Sequence, residues 1–299
     1  MRIGWPLRVR GGRLLFPWET NMRAWGAVCL CGFVSVAGCS ASPHDPQAAK
    51  VIDRMVEASG NVRSFRATTR IIERDGTENN DTTIETAARR SETDRGPIWK
   101  WVDVQNTVTC KPSAGTVQHF RTKSVHDGRF FWSESGPDQG PGTRVRVSES
   151  RGAPGTEINW WMKLVVDVSW LLEEPGCRFS RVREQVIDGA VTYVLDGYFT
   201  AGHYGRSIGP FRIRKEIPGP VRLFVRRDDM LLRKIVFDYG EGWIIRCELT
   251  DLKTDIDVDR LLFEYLPPPD ALLTFDEKIT DDASASLQRM LDAAAVGPR

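Results

Sequence analysis

Charge of one sign is what this 299-residue sequence has least of, with 41 Lys and Arg against 40 Asp and Glu, a formal net charge of +1. Such balance excludes a disordered acidic tail and gives no support to general nucleic-acid binding. Histidine is scarce, and His44, His119, His126 and His203 have no metal-ligand spacing. No CxxC pair, no GxSxG elbow and no glycine-rich loop between a strand and a helix is present, so zinc, thioredoxin-like, hydrolase and nucleotide signatures are all lacking. No apolar run reaches the ~20 residues of a membrane-spanning helix, and no internal repeat or low-complexity stretch interrupts the chain. These absences favour an ordinary globular domain without enzymatic chemistry and without a cofactor.

The apolar run that does occur is short. Residues 24–38 are uncharged, follow Arg23 and end in Val36-Ala37-Gly38-Cys39, the layout of a secretory signal. Small residues followed by a cysteine also match a bacterial lipobox, in which the Cys39 thiol carries diacylglycerol and becomes the new N-terminus. Cys39 is therefore the expected lipidation site, and an envelope location facing the periplasm follows. Residues 1–21 exceed a typical n-region, so translation is expected to begin at Met22. From Cys39 onward the chain holds 36 basic and 39 acidic residues, after removing five Arg and one Glu from the totals. Three cysteines then remain, Cys110, Cys177 and Cys247, which allow one disulfide or three buried thiols.

Beyond a small polar tether at 39–45, Asp45-Pro46 reads as an N-cap with proline at the first helical position, and Ala49, Ile52, Met55 and Val56 lie on one helical face. From Val62 the period becomes two. Strand-like runs lie at 62–74, 82–90, 98–110, 116–123, 125–133, 177–187, 190–199, 221–227, 231–239, 243–252 and 262–266, with Asp-Gly turns at 75–76, 127–128 and 188–189. Short turns of this kind favour an antiparallel meander of about ten strands. One segment departs from it: over 157–172 Ile158, Trp161, Leu164, Val165, Val168 and Leu171 recur at three and four, predicting one amphipathic helix. A final helix is predicted over 283–295, within a helical tail at 277–299.

Several local motifs stand in a telling order. Val62-Arg63-Ser64-Phe65-Arg66-Ala67 follows the first helix, Arg95, Trp99 and Trp101 follow next, then His126-Asp127-Gly128-Arg129-Phe130-Phe131-Trp132, Ile187-Asp188-Gly189 and Leu262-Phe263-Glu264-Tyr265-Leu266-Pro267-Pro268. This ordered set resembles the LolA/LolB superfamily of lipoprotein-sorting factors over about 45–276; Gly96-Pro97 departs from the family's Pro-x. The resemblance implies an α+β fold, a strongly curved antiparallel half-barrel with covering lid helices, as a single domain over 46–276. It also implies acyl chains of lipids or lipoproteins as partners, held in the half-barrel cavity. Candidates for the cavity and lid are Phe65, Arg95, Trp99, Trp101, Phe130, Trp132, Trp161, Leu164, Val168, Tyr193 and Phe237. The family's arginine couples opening to ligand, and Arg95 falls at its position. A membrane anchor through Cys39 sets this chain apart from the family's soluble carrier. Two other roles fit the same residues, a sensor that passes lipoprotein binding to a membrane-protein partner and a structural envelope lipoprotein with a filled interior. The 200–219 stretch, rich in Gly and Arg, reads as a solvated loop or a contact for anionic headgroups or a partner protein.

Overall fold

The computed structural model describes residues 45–74, 78–93, 96–136, 143–150, 158–173, 177–199, 219–240, 242–268, 271–275 and 279–295. All of them belong to one unit, Ser42–Arg299. Cys39, Arg95, the Asp75-Gly76 turn and nearly all of the 200–219 stretch lie outside the described residues.

Helix α1 (Pro46–Asn61) begins where Asp45 caps it, its side chain accepting from the backbone N–H of Gln47 at 2.8 Å and of Ala48 at 3.2 Å. The helix runs through Gly60 and stops at Val62, which turns extended into the first strand. Strands β1 (Ser64–Arg74), β2 (Asn79–Thr93), β3 (Gly96–Lys111), β4 (Thr116–His126), β5 (Phe130–Gly136) and β6 (Arg144–Glu149) form a meander. Two short helices follow, α2 (Trp160–Val166) and α3 (Trp170–Glu173). Strands β7 (Arg178–Ile187), β8 (Ala190–Phe199), β9 (Gly219–Arg226), β10 (Leu232–Asp238) and β11 (Ile244–Thr254) make a second meander. The chain ends with β12 (Leu272–Phe275) and α4 (Asp281–Ala295).

Twelve strands in the order β12-β6-β5-β4-β3-β2-β1-β11-β10-β9-β8-β7 make one curved, unclosed sheet, in which β1 joins the two meanders by pairing with β11. Every pairing is antiparallel except that of β12 with β6. Turn chemistry follows the sequence closely at two places. Asp188 and Gly189 take positive φ of 51° and 76° between β7 and β8, as a tight hairpin requires. Between β4 and β5, Asp127 Oδ1 accepts from the backbone N–H of Arg129 and Phe130 at 2.8 and 2.7 Å while Gly128 takes φ 103°.

Five elements differ from expectation. The helix read over 157–172 is broken at 167–169, where Asp167 has φ −156° and caps α2 instead of continuing it. The run at 262–266 is not a strand: Asp259 accepts from Leu261 N at 3.0 Å and starts a short 3₁₀ turn over Arg260–Phe263. Strands β6 and β12 are not among the expected runs: β6 alternates only over the four residues Arg144 to Val147, and β12 is four residues long. The C-terminal helix, read as a tail, packs on the sheet through Ala283 and Leu287.

Candidate functional site

Cross-strand register decides which side chains share a face. We call the face that meets α1, α2 and α3 the inner face. Phe65, Ala88, Trp101 and His126 follow one another across β1 to β4 in direct register, and Trp101 packs in the same buried cluster as Ile52, Met55, Leu164 and Leu171 of the helices. On the other side of the sheet midline, Leu195, Leu223 and Ile235 pair across β8, β9 and β10, and Val221, Phe237 and Ile245 pair across β9, β10 and β11 one pleat further along. All of them belong to the same inner cluster.

Of the residues singled out from sequence, Phe65, Trp99, Trp101, Leu164, Val168 and Phe237 come together here as buried members, and Trp161 and Tyr193 pack against them half-buried. Phe65 and Trp99 meet edge to face at 6.1 Å. Phe130 and Trp132 do not join them. Val125, Trp132 and Val147 are in direct register across β4, β5 and β6, one residue out of phase with His126 and Phe131, so they point to the outer face. There Phe130 and Trp132 form a second cluster with Val145, Val147, Tyr265 and Leu287. The ring of Trp132 lies 5.2 Å from that of Tyr265, and its indole N–H donates to Asp127 Oδ2 at 3.2 Å. The inner face of the same strands carries Thr122, Ser124, Ser133 and Ser135 instead. Apolar parity thus flips between β3 and β4, which period two alone does not reveal.

A buried carboxylate went unremarked in the sequence. Asp103 is 2% exposed on the inner face of β3, two residues from Trp101. Thr86 Oγ1 donates to its Oδ1 at 2.6 Å, and Asn159 Nδ2, from the residue that precedes α2, donates to Oδ2 at 2.8 Å. The Trp161 indole N–H stands beside the same carboxyl, near enough to favour its charged form but outside hydrogen-bonding geometry. Burial wins over these contacts and raises the Asp103 pKa from 3.8 to about 6. The spacing of Asp103, two and four from Trp101 and Trp99, is visible in the sequence, but only the register across β2 and β4 shows that this phase is the inner one.

Asp103 therefore ties the start of α2 to the sheet. The far end is tied by Ser59 of α1, whose hydroxyl accepts from Val168 N at 3.4 Å and donates to Val56 O at 2.9 Å. Between these points the helices present Trp160, Met162, Leu164 and Leu171 to the interior, with Trp160 and Trp161 rings 5.9 Å apart at 84°. The inner cluster is closed: Phe65, Trp101, Leu195 and Leu223 are no more than 1% exposed.

Cys110, Cys177 and Cys247 are free thiols. Burial pushes the Cys177 thiol up to about 12 and that of Cys247 higher, so neither is a thiolate at neutral pH. Among the described residues no group of three or more His, Cys, Asp or Glu is placed to hold a metal ion, and no helix is long and apolar enough to cross a membrane.

The architecture is an α+β half-barrel, an unclosed and curved sheet with helices laid on its inner face. No protein-family model and no curated protein matches the chain. Among solved structures it is similar to LprF from Mycobacterium bovis, at 10% identity and a TM-score of 0.44, over 73% of this chain and 97% of that one. It is also similar to MucB, at 18% identity and a TM-score of 0.38, over 75% of this chain and 64% of MucB. A LolA superfamily protein from Nitrosomonas europaea is matched at 14% identity and a TM-score of 0.22, over 73% of this chain and 97% of that one. These likenesses concern the fold.

Proposed function

We propose that the protein is an envelope lipoprotein, anchored through Cys39, that holds acyl chains of lipids or lipoproteins between the inner face of its half-barrel and α1–α3. One observation carries this reading. The wide apolar inner face is closed by α1 together with α2 and α3, and these last are helices of only seven and four residues, separated by 167–169 and tethered by polar contacts to Asp103 and Ser59. Helices this short have no stability of their own in water, so α2 and α3 hold their place only through their packing and those tethers, and can give way to a chain. Each CH₂ moved from water into the space they vacate contributes ~0.8 kcal/mol, which offsets the cost of releasing the two helices from the sheet. No ion pair is needed, and among the described residues neither the protonated thiols nor Asp103 belongs to a catalytic pair.

Mass spectrometry of the protein extracted from membranes tests both halves of the reading. A diacylglycerol adduct on Cys39 and co-purified acyl lipid are expected, together with saturable binding of a fluorescent fatty acid. Replacing Cys39 with Ala should shift the protein out of the lipidated pool and into the soluble fraction. An unmodified Cys39 removes the anchor; absence of both bound lipid and fatty-acid binding removes the carrier role and leaves a structural envelope protein.

A further inference from the structure

The outer face of β7–β11 is covered by no other described element, unlike that of β4–β6, and it is basic. Strand register places Arg181, Arg183, Arg222, Lys234 and Arg246 there, on the edge strand β7 and on β9, β10 and β11, with the carboxylates of Asp196, Asp238 and Glu248 between them and Arg246 paired with Glu248. Arg183 and Arg222 share one carboxylate, Asp196, at 3.5 and 2.6 Å. Lys234 makes no ion pair among the described residues; its ammonium lies 5.0 Å from the centroid of the Phe224 ring. Burial, then the charge of Arg246 and that of Arg222, lower the Lys234 pKa against the opposing charges of Glu248 and Asp188. A groove of about 470 Å³ runs between Arg181, Arg183, Asp196 and Arg222, and one of about 410 Å³ is lined by Arg226 and Lys234 together with Asp188 and Glu248. Tyr198, 62% exposed, and Ile244, 37% exposed, stand among them. This face is basic although the chain from Cys39 onward has more acidic than basic residues.

The entry of the chain supplies the occupant. Asp45 N donates to Phe179 O of β7 at 3.2 Å, so the domain begins on the edge strand that carries Arg181 and Arg183. Cys39 precedes Asp45 by six residues, a span of at most about 20 Å when fully extended. We propose that the outer face of β7–β11 lies against the anionic lipid surface in which the Cys39 anchor is inserted, so that one end of the half-barrel is held flat on the membrane. This rests on the anchored reading above. Guanidinium and ammonium groups interspersed with a tyrosine and aliphatic side chains suit a headgroup layer, and adjacent strands at ~4.8 Å spacing make a broad face instead of a cleft that would enclose a peptide.

The lipidated protein is reconstituted into vesicles of phosphatidylcholine, alone or with one third phosphatidylglycerol, and treated with a membrane-impermeant acetylating reagent. Lys234 should be acetylated at least five-fold more slowly in the anionic vesicles, with Lys111, at the far end of β3, unchanged, and 0.5 M salt should remove the difference. Combining Arg181→Gln, Arg183→Gln and Arg222→Gln should abolish the protection while leaving the thermal melting curve cooperative. Equal rates at Lys234 in both vesicles, or equal slowing at Lys111, overturn the proposal. If Cys39 proves unmodified, the anchor reading fails separately, and the unanchored chain is then sedimented with the same vesicles. Pelleting with the anionic ones that falls at least five-fold in the triple variant supports the face; pelleting that ignores the variant overturns it.

Discussion

Strands β1–β3 and β7–β11 turn most of their large apolar side chains inward to α1, α2 and α3, whereas β4–β6, Phe131 excepted, turn theirs outward to Tyr265 and α4. Both regions use aromatic residues at strand period two, and both bury them almost completely: Trp101 and Trp132 are each 1% exposed. What differs is the cover. The inner cluster lies under the 16-residue α1 and two helical fragments fastened by Asp103 and Ser59, while the outer one lies under a single 15-residue helix fastened by surface polar contacts. Thr280 bonds Glu149 through its backbone N–H at 3.1 Å, and Arg129 pairs with Asp282 at 2.7 Å. The part of the inner cover that comes in short pieces, α2 and α3, suits a face that opens beside a fixed α1; the outer cover has no such piece. Burial of an aromatic therefore does not by itself assign it to a ligand site.

The strongest way to break the comparison is to remove one anchor residue from each region. Trp101→Ala and Trp132→Ala should each cost ~3–5 kcal/mol in denaturant unfolding. Only Trp101→Ala should also abolish fatty-acid binding at concentrations where the protein remains folded. Loss of binding in both would merge the two regions into one site.

Leu287→Ala, in the continuous cover, should cost ~2–5 kcal/mol. Limited proteolysis should then cut within 276–295 first while fatty-acid affinity is retained, and cleavage beginning instead at α2 would reverse the assignment of fixed and movable covers.

Asp103 gives the inner cover a pH dependence. Its folded-state pKa, about 6, lies above the ordinary 3.8, so the folded chain takes up this proton before the unfolded chain does. Its contribution to stability therefore rises as pH falls from about 7 towards 4, by on the order of 3 kcal/mol at most. Asp103→Asn should flatten that part of the curve, read as melting temperature against pH; an unchanged slope would mean the carboxyl is already ionised at no cost. The smallest effect belongs to the exposed edge strand: Leu272, 62% exposed, should tolerate Ser within about 0.5 kcal/mol of the parent by denaturant titration.

Local chemistry was legible in the sequence wherever the physics is local. Asp45-Pro46 announced α1, and Asp127-Gly128 and Asp188-Gly189 announced their turns, because capping and positive φ are decided within a few residues. Period two likewise announced most strands. It could not say which face would be buried, because Val125 and His126 are both sheltered and only the helix that covers each side, far away in sequence, distinguishes them. Strands β6 and β12 fail for a related reason: Val145 and Val147 are a thin signal until β5 pairs with them, and β12 is defined by its parallel pairing to β6. The helical period over 157–172 was correct in type, but Asp167 and Ser169 bond to each other at 2.6 Å and break it, a local competition that apolar spacing does not register. Of the candidate site, the Trp99–Trp101 pair and Leu164 were legible; Asp103 and the outward turn of Phe130 and Trp132 needed the register.

The claim that matters most is that acyl chains lie on the inner face beneath α2 and α3. A photoreactive fatty acid, cross-linked to the folded protein and located by peptide mass spectrometry, tests it directly. Adducts on β3, β8 or β9 and on α2, around Trp101, Leu195, Leu223 and Leu164, are the expected result. Adducts confined to Phe130, Trp132 or α4, or none at saturating ligand, would contradict it.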